Sequence, residues 1–384
     1  MKPLAKAAQE MPRSGIRVLL DLAAKIPDAI HLEIGQPDFP TPDHIITAAL
    51  QAAQQGFTQY TPNAGLLSLR EAIAEKVRQE NGLEATAENV VVTTGGMGGL
   101  YAAFTTVLEP GDEVLLPDPG YPNYTMVTQL CRARAVYYPL DAASGFQPRL
   151  DVLSRLVTAR TKALVINSPS NPTGSVIPAE GMAALVAFAR EHDLYLISDE
   201  CYEKIVFGVR HVSPASFDED GRVLSIFSFS KTYAMTGWRV GYAVVPPEIA
   251  AIFIKLQEAT VACASSVSQK AAEVALIGPQ DCVEAMVNTY RQRRDRALAI
   301  LRRHGLPTYT PQGAFYLLVD ISRCGQGSDH FARDLLAQEK VAVAPGHTFG
   351  PSGDQYVRVS LAASENDLQI GLERLCDYIR RRRR

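Results

Sequence analysis

Between residues 90 and 245, short apolar runs alternate with stretches of helical periodicity, and no other feature constrains the fold of this chain as strongly. The runs cover residues 90–94, 114–116, 133–138, 163–167, 194–198, 223–229 and 239–245. Several are apolar at every position rather than at every second one. A strand with one face in water alternates, whereas a strand covered on both faces does not. Seven such runs joined through helices predict an α/β fold in three layers, a mainly parallel seven-stranded sheet between helices.

The flanks read differently. Roughly the first 30 residues predict a short helical arm, followed by the loop Gly35-Gln36-Pro37-Asp38-Phe39-Pro40. Thr41 is placed to cap a helix with Pro42 as its first residue and Gly56 as its stop, and a second helix is expected over 66–80. Beyond 245 the pattern is mainly helical, with a long helix over 281–304. Short strands over 315–319, 341–344 and 356–361 then precede a last helix from Ser364. The 384 residues are expected to divide into an arm with part of a small domain (1–40), a large domain (41–282) and the rest of a small α+β domain (283–384).

Composition narrows the function classes. Hydrophobic residues make up 47% and charged residues 21%, which excludes disorder and fibrous repeats. A net charge of −3 leaves no global basic field, so no nucleic acid is expected as partner. The six cysteines include no C-x-x-C pair and the seven histidines no pair at ligand spacing, so neither a disulfide framework nor a metal site is expected. The start of the chain lacks the apolar core of a signal peptide. Residues 89–108 carry no charge, but the glycines in their middle suit strand, turn and helix rather than a membrane span. The expected setting is a reducing cytoplasm, with no membrane association.

In open α/β sheets ligands bind beyond the carboxyl ends of the strands, so the residues there carry the functional reading. Thr94-Gly95-Gly96-Met97-Gly98-Gly99 joins a strand to a helix and could cradle an anion with backbone N–H groups. Close helix packing would explain the glycines equally well. Asn171, in Asn167-Ser168-Pro169-Ser170-Asn171-Pro172, is held extended by the proline after it, either to aim its amide or simply to make a turn. Asp199, with Glu200, ends an apolar strand, where an acid needs a cation or serves as a helix cap, and Tyr202 follows three residues later. Lys231 lies past another apolar strand; a desolvated lysine there suits a Schiff-base nucleophile, and a solvated one is an ordinary loop residue. Arg358, between Val357 and Val359, either faces water or meets a buried anion.

Taken together, these residues resemble the fold-type I pyridoxal-phosphate enzymes, specifically the class I/II aminotransferases related to aspartate aminotransferase. The resemblance spans almost the whole chain in order: the Gly35 loop, Tyr60-Thr61-Pro62, the Gly96 turn, Asn171-Pro172, Asp199-x-x-Tyr202, Ser228-x-x-Lys231 and Arg358. Its most specific segment runs from Ser228 through Lys231 and Arg239 to Tyr242. The resemblance implies pyridoxal 5'-phosphate as cofactor, carried covalently by Lys231, whose freed amine then moves the substrate proton. It implies that Asp199 pairs with the ring nitrogen, that Asn171 and Tyr202 bond the ring's phenolic oxygen, and that Tyr121 stacks on the ring. The phosphate would be held by Gly96, Met97, Ser228 and Arg239, and by Tyr60 reaching from a neighbouring subunit of a homodimer. Arg358, with Asn171 and the backbone near Gly35, would clamp the substrate carboxylate.

The implied reaction moves an amino group from an amino acid to a 2-oxo acid in two half-reactions. Met97 departs from the family, which often has a hydroxyl residue there, so a side-chain contact to the phosphate is expected to be lost. A C–S β-lyase shares these motifs and is the alternative. A cofactor-binding regulator is a further one, although its extra domain would have to precede the arm, where only about 30 residues stand before Gly35.

Overall fold

A computed structural model describes residues 2–306 and 308–383. After two short helices, Lys6–Gln9 and Gly15–Ala23, the chain forms strand β1 (Ile30–His31). The main sheet is then built from β2 (Val90–Thr93), β3 (Glu113–Asp118), β4 (Arg134–Pro139), β5 (Thr161–Asn167), β6 (Tyr195–Asp199), β7 (Val223–Ser228) and β8 (Gly241–Val244). Their spatial order is β2-β8-β7-β6-β5-β3-β4. All seven expected strands are present, and the sheet is parallel except for β8, which runs antiparallel to both neighbours. Every residue of β2, β3 and β8 is buried, as continuous apolar runs require.

The C-terminal third adds β9 (Tyr316–Asp320), β10 (Val341–Ala342), β11 (Ala344–Pro345) and β12 (Tyr356–Ser360). The single strand expected over 341–344 is in fact two. β10 pairs in parallel with β1, while β11 joins β12 and β9 in an antiparallel sheet. The long helix is Asp281–Arg303 and the last is Glu365–Arg382, capped by the Ser364 hydroxyl. One buried core unites Leu19, Ala23 and Leu32 near the start of the chain with Val341, Val357, Leu372 and Ile379 near its end. Separate cores fill the two faces of the main sheet.

Two local expectations are corrected. Thr41 does not cap a helix: its hydroxyl donates to the Ala234 carbonyl at 2.7 Å, and the helix Asp43–Gln54 begins after Pro42. The Trp238 indole N–H donates to the same hydroxyl at 3.0 Å, filling the acceptor role that a helix N–H would otherwise take. The helix expected over 66–80 is α-helical only over Leu67–Lys76 and closes with a wider turn, Val77–Asn81.

Candidate active site

The parallel strands bring the residues after their carboxyl ends to one edge of the sheet. β8 contributes to that edge by its first residue instead. Gly241 stands opposite Thr93 on one side and Ser228 on the other. Arg239, two residues before β8, therefore arrives beside the turn that follows β2. The fit is close: a Cβ on Gly95 would lie 2.7 Å from an Arg239 nitrogen, and one on Gly241 would lie 2.7 Å from the Gly96 nitrogen. Gly95 also takes φ +72°, where a side chain is strained. Thr94 places no side-chain cap on the helix Gly95–Val107, so its first N–H groups remain open. Uncapped N–H groups beside a guanidinium make an anion cradle. Among the described residues Arg239 itself donates only to the Thr236 carbonyl, at 3.0 Å.

Asp199 is buried at the end of β6 with 4% exposure. Its Oδ2 accepts from the Tyr124 hydroxyl at 2.7 Å and its Oδ1 from the Cys201 N–H at 3.2 Å. Neither partner is a cation, and burial pushes its carboxyl above the usual range despite these hydrogen bonds. Glu200 points the other way, as strand alternation demands, and bonds His211 at 2.8 Å and Ser213 at 3.0 Å. The neighbouring strand is tied in by Asn167. It donates to the Asp199 carbonyl at 2.9 Å and accepts from the Asn171 N–H at 2.7 Å.

Lys231 sits in the one-turn helix Phe229–Thr232 after β7, whose cap is the Ser228 hydroxyl accepting from the Ser230 N–H at 3.1 Å. Its amine donates to the Gly35 carbonyl at 2.6 Å. Burial lowers its pKa to about 8, with the charges of Arg358 and Arg239 adding to the fall. It is therefore no solvated loop lysine.

Arg358 faces inward from β12 with 1% exposure, so its solvent-facing alternative is excluded. One terminal nitrogen donates to the Asn171 side-chain oxygen at 2.9 Å and the other to the Glu33 carbonyl. Its buried Nε has no partner among the described residues. The guanidinium carbon lies 4.2 Å from the Tyr316 ring centre and 4.9 Å from that of Phe349. The Tyr316 hydroxyl in turn bonds that of Tyr202 at 2.8 Å.

Gly35, Gly96, Asn171, Asp199, Tyr202, Ser228, Lys231, Arg239 and Arg358 thus converge on one region. Tyr121 joins them, its ring edge-on to Tyr124 at 5.5 Å, its hydroxyl pushed up first by burial and then by the Asp199 charge. Met97 lies in the first turn of the glycine-rich helix, with its sulfur 3.5 Å from the Asn123 amide. Tyr60 stands apart, 89% exposed. Sequence reasoning missed Tyr124, Tyr316, Phe349 and Cys201, whose sulfur lies 2.7 Å from where a Gly96 Cβ would stand. Tyr124 was findable, one helical turn beyond Tyr121. Tyr316 and Phe349 carried no signal beyond that of ordinary core aromatics.

Comparison with known proteins agrees with this arrangement. The family described as "Aminotransferase class I and II" matches residues 27–375. The chain belongs to that family. It is 40% identical over 375 residues to an aspartate aminotransferase of Pyrococcus abyssi, covering 96% of each chain. It is 38% identical to aromatic-amino-acid aminotransferase 2 of Thermococcus litoralis, covering 94% of each. Among solved structures, Thermus thermophilus aspartate aminotransferase with maleate superimposes with a TM-score of 0.95 at 38% identity, over 98% of this chain and 100% of that one. This class I and II aminotransferase is accordingly a transaminase, and nothing in these likenesses favours a C–S lyase or a regulator. No described helix is long and apolar enough to cross a membrane.

Proposed function

We propose that this chain is a pyridoxal 5'-phosphate-dependent transaminase in which Lys231 carries the cofactor and then moves the substrate proton. The observation that carries the reading is the Lys231 amine, desolvated to a pKa of about 8 between the Asp199 and Arg358 sides of the site. The residues fit the cofactor on three counts. Asp199 is a buried acid with no cation partner among the described residues, which a protonated ring nitrogen would supply. The uncapped helix at Gly95–Val107 with Arg239 suits a phosphate. Lys231 can present a neutral amine near neutral pH.

When bound, the cofactor supplies an aldehyde that takes up the amino group and a ring that accepts the electrons of the Cα–H bond. Gly96, Met97, Ser228 and Arg239 would hold its phosphate. Asp199, steadied by Tyr124, would hold a proton on the ring nitrogen. Asn171 and Tyr202 would meet its phenolic oxygen, and Tyr121 would cover the ring. Arg358 holds the α-carboxylate of the substrate, with Asn171 and the Gly35 loop beside it. Fixing the carboxylate selects which Cα bond lies in the reactive direction; such orientation is worth up to about 7–11 kcal/mol in the best cases. Once the substrate amino group has displaced it from the cofactor's aldehyde carbon, the freed Lys231 amine would take the proton from Cα and return it to that carbon. One half-reaction releases a 2-oxo acid, and the reverse with a second 2-oxo acid completes the transfer.

The same reading places two copies in a homodimer, each lending Tyr60 to the other's phosphate; the 89% exposure of Tyr60 in the single chain supports it. It also divides the chain into 1–40, 41–282 and 283–384, supported by the core that both chain ends share. Six unpaired cysteines suit a reducing cytoplasm. Borohydride reduction of the loaded protein followed by peptide mapping tests the central claim. The label is expected on Lys231, and a label on any other lysine refutes it.

A further inference from the structure

The last residue of β3 is a buried acid whose hydrogen bonds reach a loop far along the chain. Asp118 is 4% exposed, and among the described residues its carboxylate meets no cation and bonds Ser352 alone. The Ser352 N–H lies 3.0 Å from Oδ1 and 3.1 Å from Oδ2, and the Ser352 hydroxyl donates to Oδ2 at 2.8 Å. Burial pushes the carboxyl above its usual range, and these bonds draw it back. Two residues on, the Gly120 N–H donates to the Phe349 carbonyl at 2.7 Å. The end of β3 therefore grips the loop 346–355 on both sides of Gly350. The approach is close: Gly350 takes φ +126°, and a Cβ there would lie 2.3 Å from the Asp118 Oδ1.

The same loop is tied at its base to the helix Ser328–Glu339. The Ser328 hydroxyl accepts from the His347 N–H at 2.9 Å and donates to Asp354 at 2.7 Å, and the Ser328 N–H donates to Asp354 at 2.9 Å. Ser328 thus fastens the two ends of the loop, and Asp118 fastens its tip. The tip carries Phe349, 2% exposed, whose ring centre lies 4.9 Å from the Arg358 guanidinium carbon. Stacking on a ring sets the plane of a guanidinium, and that plane decides how well its fork meets a carboxylate. A desolvated acid is costly to keep, and this one directs its hydrogen bonds at the segment that braces Arg358.

We propose that Asp118 is a positioning residue for substrate binding: by holding Ser352 it keeps Phe349 against Arg358 and so orients the guanidinium for the substrate carboxylate. This rests on the reading of Arg358 as the carboxylate clamp and adds to it a residue that acts through the loop.

The test loads the full chain with pyridoxamine 5'-phosphate and mixes it with 2-oxoglutarate, pyruvate or phenylpyruvate, each of which carries the carboxylate in question. Return of the cofactor to its aldehyde form is followed by absorbance at increasing 2-oxo acid concentration. Asp118→Ala is expected to raise the half-saturating concentration about three- to tenfold, the range for a lost hydrogen bond, while the limiting rate changes less than about twofold. Ser352→Ala removes the hydroxyl and keeps the N–H; it is expected to raise that concentration about twofold, and it serves if Asp118→Ala fails to fold. In an Arg358→Ala background, Asp118→Ala should change the second-order rate constant less than about twofold, because the group it positions is gone. In the cofactor-free protein, hydrogen exchange over residues 349–353 should quicken about three- to tenfold in Asp118→Ala. An unmoved half-saturating concentration or exchange rate in a folded variant, a loss confined to the limiting rate, or an equal loss in the Arg358→Ala background overturns this inference. The clamp itself is judged by Arg358→Ala alone, and a wild type that reacts with none of the three acids overturns both.

Discussion

Replacing Lys231 by methionine should abolish turnover and yet stabilise the cofactor-free protein near neutral pH. In the folded chain the lysine's pKa falls from 10.5 to about 8 because its amine is buried. In the unfolded chain it returns to the ordinary value. Between those values the unfolded state binds the extra proton, so stability rises with pH across that window. Below pH 8 the full penalty applies, on the order of 3 kcal/mol at pH 7. Methionine removes that penalty but loses the hydrogen bond to the Gly35 carbonyl, worth about 1 kcal/mol. The net gain is therefore about 2 kcal/mol at pH 7. By pH 10 the remaining penalty is about 1 kcal/mol, and the two proteins should unfold almost together. Urea unfolding of both apo-proteins at pH 7 and pH 10 measures this. A variant less stable than the wild type at pH 7, or a difference that does not shrink with pH, refutes the account of a desolvated amine.

Two further predictions concern the rest of the site. Arg358→Ala should weaken amino-acid binding by a factor on the order of 10² or more, since the substrate carboxylate would be left buried without its partner. Cofactor retention, followed by its absorbance, should change little; equal losses of substrate and cofactor would sink the clamp. In sedimentation the protein should run at twice the 41.8 kDa chain mass, and Tyr60→Ala should weaken cofactor retention while the dimer persists. A wild-type monomer that retains cofactor fully would remove Tyr60 from the site.

The strands of the main sheet were legible because most are built on apolar runs, several of them continuous, and Asp199, Ser228 and Lys231 because each interrupts or follows one. Arg239 was legible only through the motif that contains it. No local pattern tells that β8 runs antiparallel, and without that reversal the arginine would lie at the wrong end of its strand. The split of 341–344 between two sheets was equally hidden, because a four-residue apolar run carries no record of its partners. Thr41 misled for a related reason: the groups that hold its hydroxyl, the Ala234 carbonyl and the Trp238 indole N–H, are 193 and 197 residues away.

Residue types and their order along the chain determined the sheet, its covered faces and the chemical inventory at its edge. Those properties follow from local periodicity and from what each side chain can do. Tertiary structure decided the remainder. It set the ionisation of Lys231 and Asp199, which depends on burial by segments distant in sequence. It turned Arg358 inward against Tyr316 and Phe349, and it opened beside Tyr121 a cavity whose walls come from the arm, the main sheet and the loop 347–351. Desolvation and shape arise only when separated segments meet, so no single stretch of sequence holds them.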